Sequence, residues 1–109
     1  MMTNNSPRIG VDLAKIARFQ NQEALAKKIL SPSEFAVYAS HPQAATYLAG
    51  RFAGKEAFIK AWHQPPLPDF ATIEVLNAED GAPYIHFQGK QYQISLSHDG
   101  DYVIAMVII

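Results

Sequence analysis

Cysteine is absent from these 109 residues, which excludes disulfides and thiolate metal sites. Long apolar runs are also missing, and no stretch approaches the roughly 20 residues that a membrane span needs. The segment Met1 to Pro7 is polar and lacks the apolar centre of a secretory signal. It reads as a loose tail ahead of one domain over 8–109, and the simplest location is the cytoplasm, with no membrane partner. Charge is scarce, at 17% of residues, and balanced, with nine Lys and Arg against ten Asp and Glu. A net charge of −1 excludes a strongly basic nucleic-acid binder. No repeat, low-complexity tract or interior linker interrupts the chain. A chain of this length forms one compact domain, small enough to gain from self-association.

What is there centres on Arg51-Phe52-Ala53-Gly54-Lys55-Glu56-Ala57-Phe58-Ile59-Lys60-Ala61-Trp62. As a helix this stretch puts Leu48, Phe52, Ile59 and Trp62 on one core-facing stripe. Lys55 falls inside the stripe and Glu56 on its edge. The other side is small, with Ala49, Ala53, Ala57, Ala61, Gly50 and Gly54, so another backbone can approach. Arg51, Lys55, Glu56 and Lys60 are therefore threaded through two packing faces. Unpaired buried charge is costly, so these four must be paired, solvated in a cleft or holding a ligand.

Earlier in the chain, Ile9, Val11 and Leu13 alternate with Gly10 and Asp12, the period of a strand. The apolar set is expected to face the core, with Asp12 pointing away. Ile16 and Phe19 follow at helical spacing, with Lys15, Arg18 and Gln22 opposite. Glu23 to Leu30 suits a helix. Ser31-Pro32-Ser33-Glu34 combines a capping box with proline at the first helical position, and His41-Pro42 ends that helix. A long helix runs from Gln43 to Trp62, and Pro65, Pro66 and Pro68 stop it. Three strands come next, over Thr72 to Leu76, Tyr84 to Phe87 and Tyr92 to Ser97. Tyr102 to Ile109, nearly all apolar, suits a central strand covered on both faces. One strand, several helices and an antiparallel meander make an α+β fold, with helices packed on an antiparallel sheet.

Two carboxylates stand out. Asp12 sits in a strand, where Asp is unfavourable, and Glu56 lies between two packing faces. Two carboxylates with water and phosphate oxygens are a usual way to hold Mg²⁺, and Arg51, Lys55 and Lys60 nearby suit phosphate. The plain structural alternative pairs Glu56 with Lys60 at i, i+4 and has Asp12 cap the following turn. From Arg8 to Leu30, Arg8, Lys15, Arg18, Lys27 and Lys28 face only Asp12 and Glu23, a local patch for an acidic partner or a solvated face. His41, His63 and His86 have no partner pattern and read as turn or surface residues.

Gly10-Val11-Asp12-Leu13, the run Arg51 to Ala61, and a late Ser97-His98 before a terminal apolar strand resemble the 4′-phosphopantetheinyl transferases. They look most like the small holo-acyl-carrier-protein synthase type. Ile29 to Glu34, Leu48 to Phe52 and Gly81 to Tyr84 also match, so the resemblance spans nearly all of the chain after Pro7. It implies that Asp12 and Glu56 hold Mg²⁺ on the pyrophosphate of coenzyme A. Glu56 would orient or deprotonate a carrier-protein serine, and Lys60 would meet phosphate or assist proton transfer. Arg51 and Lys55 would bind phosphate, and Ser97 and His98 would contact coenzyme A. Lys15 and Arg18, with Lys27 or Lys28, would receive an acidic acyl or peptidyl carrier protein. The family's small branch is a homotrimer with coenzyme A between subunits, so His98 would serve a neighbour's site.

Three features depart from the pattern. His63-Gln64-Pro65-Pro66-Leu67-Pro68 replaces a Gly-Thr-Gly-like loop, and prolines offer no backbone N–H to a nucleotide. Ala14 stands where larger members carry a second acid. The chain is also somewhat short. The proline run favours the rival expectation, a non-catalytic carrier-binding scaffold of the same fold.

Overall fold

The computed structural model describes residues 6–109, so the expected tail over Met1 to Pro7 lies mostly outside the described residues. Strand β1 (Ile9–Lys15) passes through a 3-10 turn (Ile16–Phe19) into α1 (Glu23–Ile29), α2 (Pro32–Ser40) and α3 (Ala44–Trp62). A second 3-10 turn (Phe70–Thr72) leads to β2 (Glu74–Asn77), β3 (Pro83–Phe87), β4 (Lys90–Asp99) and β5 (Tyr102–Ile108). The strands form one antiparallel sheet in the order β1-β5-β4-β3-β2. Three helices on this sheet match the α+β expectation. Among the described residues, no helix is long and apolar enough to cross a membrane.

The capping box forms as its residue types dictate. Glu34 N–H donates to Ser31 Oγ at 3.2 Å, and Ser31 N–H donates to Glu34 Oε1 at 2.9 Å. Helix α3 ends where His63 enters the left-handed region at φ 49°, its N–H still reaching Ile59 O. The small face of α3 lies on the sheet, with Ala53, Ala57 and Ala61 buried. Phe58 and Trp62 stack, and both meet the edge of Phe87 on β3.

Strand β1 alternates as expected, but with its faces exchanged. Gly10 and Ala14 are buried on the α3 side, whereas Ile9, Val11 and Leu13 are 64%, 49% and 60% exposed. The cause is the closeness of the helix: a Cβ on Gly10 would lie 1.8 Å from the Ala57 carbonyl oxygen. Only the smallest residues fit there, so the larger apolar set turns outward and Asp12 turns toward α3. The expectation for β5 is corrected in the same way. Val103, Ala105 and Val107 are buried under α3, but Tyr102, Ile104, Met106 and Ile108 are exposed on the outer face. The register sets Ile108 beside Ile9, Met106 beside Val11 and Ile104 beside Leu13, giving one continuous apolar surface.

Candidate active site

The close approach of Gly10 to Ala57 and Ala61 brings the β1 edge to the flank of α3 that carries Lys60. Lys60 Nζ donates to the Val11 carbonyl at 3.0 Å and to Asp12 Oδ1 at 3.2 Å. The Lys60 side chain is half exposed, whereas that of Asp12 is 16% exposed. An ion pair this open to water contributes roughly 0–1 kcal/mol, too little to explain an aspartate inside a strand. Glu56 lies one helical turn before Lys60 on the same flank and is half-buried. Among the described residues, none donates a hydrogen bond to the Glu56 carboxylate.

Neither plain structural alternative is realised. Lys60 reaches across to Asp12 and not back to Glu56, and the turn after β1 has no side-chain cap. What remains, among the described residues, is a carboxylate held by a lysine and a second carboxylate without a partner, on adjoining elements. Hard oxygen donors of this kind suit Mg²⁺. Among the described residues, no group of three or more His, Cys, Asp and Glu side chains could hold a metal. A cation here would thus draw its remaining ligands from substrate phosphate and water.

Two of the expected phosphate ligands, Lys55 and Arg51, are engaged elsewhere. Lys55 is fully buried. Its ammonium donates to Glu34 Oε1 at 2.7 Å, to Phe70 O at 2.9 Å and to Ile73 O. An ammonium has three protons, so none is left for phosphate, and that expectation is corrected. Burial pushes Lys55 below the ordinary lysine range, and Glu34 opposes the shift. Arg51 is also buried, over the Tyr47 ring at 4.3 Å and donating to Asn77 Oδ1. Its Nε is left without a partner among the described residues. Burial pushes the Tyr47 hydroxyl up, against the pull of Arg51. Nine residues separate Arg51 from Lys60, about 13 Å at the helical rise, so the two do not share one phosphate group.

Ser97 and His98 stand near the end of β4 and are exposed. His98 pairs with Val103 and so shares the inner row of Ala14, while Ser97 pairs with Ile104 on the outer apolar face. Strand β4 lies two spacings from β1, roughly 10 Å, so neither residue joins Asp12 within one chain. Lys15 and Arg18 do extend the same β1 edge and are exposed. Lys27 pairs at 3.9 Å with Glu23.

Sequence reasoning missed the second role of Glu34, which it read as a cap alone. A lysine inside an apolar stripe requires a buried acid, and that requirement was the available signal.

Three helices on a five-stranded antiparallel sheet agree with the family comparison. The chain belongs to the 4′-phosphopantetheinyl transferase superfamily, whose family model matches residues 8–107. Within it the chain is of the holo-[acyl-carrier-protein] synthase type, and so an enzyme. The holo-[acyl-carrier-protein] synthase of Staphylococcus saprophyticus is 38% identical over 110 residues, covering 93% of this chain and 95% of that one. The crystal structure of the Neisseria meningitidis synthase matches with a TM-score of 0.82 at 28% identity, over 93% and 95% of the two chains. The Bacillus anthracis synthase, solved in complex with CoA (3′,5′-ADP), gives a TM-score of 0.82 at 28% identity, over 93% of each chain.

Proposed function

We propose that this protein moves the 4′-phosphopantetheine arm of coenzyme A onto a serine of an acidic apo acyl or peptidyl carrier protein in the cytoplasm, with Mg²⁺, releasing 3′,5′-ADP. The observation that carries the reading is the lysine-held Asp12 of β1 beside the unpartnered Glu56 of α3. Asp12 and Glu56 would hold the ion, which supplies charge neutralisation on the pyrophosphate. Lys60, half exposed and 3.2 Å from Asp12, brings its ammonium to phosphate oxygens at the same edge. Glu56, with no donor of its own, is free to orient the serine hydroxyl and accept its proton. Positioning and charge stabilisation account for the acceleration.

The cation pair Lys15 and Arg18 lies three and six residues beyond Asp12 and faces solvent, a suitable place to receive an acidic helix. Incubation with coenzyme A, Mg²⁺ and several apo carriers should raise one carrier's mass by the phosphopantetheine arm. The Lys15→Glu, Arg18→Glu double variant should raise KM for the carrier and weaken its salt dependence, leaving KM for coenzyme A alone. No mass gain with any carrier refutes the reading, and finding coenzyme A unbound as well would leave only a scaffold.

The outer face of β1 and β5 supports self-association, which the family resemblance makes a homotrimer. Ile9, Val11, Leu13, Ile104 and Met106 form an exposed apolar surface, and surfaces of this kind mark association sites. Ser97 lies on that face, so packing of copies would bring the β4 end to a neighbour, where His98 contacts coenzyme A. Sedimentation equilibrium should give three times the chain mass, and Ile104→Asp should yield folded monomers without transfer activity. A wild-type monomer at micromolar concentration would exclude the trimer.

A further inference from the structure

Lys55 and Glu34 form the most enclosed polar group among the described residues, both with 0% exposure. Glu34 Oε1 accepts from Lys55 Nζ and from Ser31 N–H, and Oε2 accepts from Val75 N–H at 2.8 Å. The pair therefore joins the start of α2, the middle of α3 and the start of β2. The two remaining Lys55 protons go to the carbonyls of Phe70, the first residue of the second 3-10 turn, and of Ile73, which follows that turn. Buried ion pairs are weak devices for stability, since apolar replacement is often neutral or stabilising. A buried pair of this kind calls for another reason, and the placement of these two carbonyls supplies one.

Thr72, between the gripped carbonyls, lines a cavity of about 340 Å³ whose other walls include Trp62, Pro65, Pro66, Leu67 and Phe87. Phe70, at the other end of the turn, packs on Phe52 with ring centroids 5.6 Å apart. Phe52 precedes Glu56 by one helical turn, so this ring contact ties the 3-10 turn to the stretch of α3 that carries the candidate carboxylate. Trp62 and Phe87 hold one another by edge contact, so one side of the cavity is set by aromatic packing. The side running from the prolines to Thr72 has its far end fixed by Lys55.

We propose, resting on the transferase reading above, that Lys55 and Glu34 are positioning residues. They hold the segment 63–73 against α3 and thereby set the affinity for coenzyme A, touching neither substrate. Lys55 acts through the backbone carbonyls of Phe70 and Ile73, and Glu34 acts by keeping Lys55 in place.

Lys55→Met alone strands a buried carboxylate, so the informative variant is Lys55→Met with Glu34→Gln, which removes both charges. Its amide exchange should rise within 63–73 while α3 and the sheet keep wild-type protection. Its KM for coenzyme A should rise about tenfold with kcat within about twofold. Glu34→Gln alone strands a buried cation and should lower the melting temperature, but it leaves Lys55 both carbonyls and should hold KM within about threefold of wild type. Exchange rising evenly over α3 and the sheet, or an unchanged KM in the double variant, overturns the proposal. A wild-type chain that transfers nothing sinks the transferase reading by itself, and the localisation of exchange still decides whether the pair positions this segment.

Discussion

Asp12→Asn and Glu56→Gln should each lower kcat for phosphopantetheine transfer by about 10²–10³-fold or more, the usual loss for a charge-stabilising group. Both substitutions keep shape and remove one negative charge. The asparagine amide of the first variant still offers an oxygen to Lys60, so the junction of β1 and α3 survives. The Asp12–Lys60 pair is open to water on the lysine side, which leaves roughly 0–1 kcal/mol at stake in folding. Thermal unfolding should accordingly shift by only a few degrees. Mass-spectrometric turnover beside a melting curve separates the two effects. Wild-type turnover in either variant would refute the metal assignment, and a large fall in melting temperature would show that the acid serves the fold.

Gly10→Ala has the opposite signature. The added Cβ meets the Ala57 carbonyl oxygen at 1.8 Å, the Ala57 carbonyl carbon at 2.8 Å and the Ala61 nitrogen at 2.9 Å. These are backbone atoms of a helix, and no rotamer change relieves the clash. Overpacking of a core costs about 1–3 kcal/mol, and separating two backbones belongs at the upper end. For a domain near 100 residues that lowers the melting temperature by roughly 10–20 °C. Transfer should fall as well, because Asp12 lies two residues along the displaced strand. An unchanged melting temperature would mean that β1 does not approach α3 this closely.

Much of the fold was legible in local chemistry. Ser31, Pro32 and Glu34 specify a helix start through contacts within four residues, and the structure shows each of them. The alanine and glycine face of α3 announced a close backbone neighbour, and β1 is that neighbour. Periodicity alone did not say which face of β1 would be buried. Ile9 and Val11 are the larger apolar residues, yet Gly10 is the one that fits under Ala57. The partner of Lys55 was hidden for a different reason: Glu34 lies 21 residues away, and its local role as a cap already explained it. The Asp12–Glu56–Lys60 grouping came from resemblance to a family. The spacing of the three residues alone left open an ordinary ion pair and a cap.

Among the described residues, strand β1 is the last strand on its side of the sheet, and its outward carbonyls face no partner strand there. A bare edge of that kind is a template for unwanted strand addition and, with Ile9, Val11 and Leu13 beside it, for aggregation. Lys60 covers the Val11 carbonyl and sets a cation on that edge. The opposite edge strand, β2, is only four residues long. The lysine that steadies Asp12 therefore also guards the sheet against growth from its most apolar side.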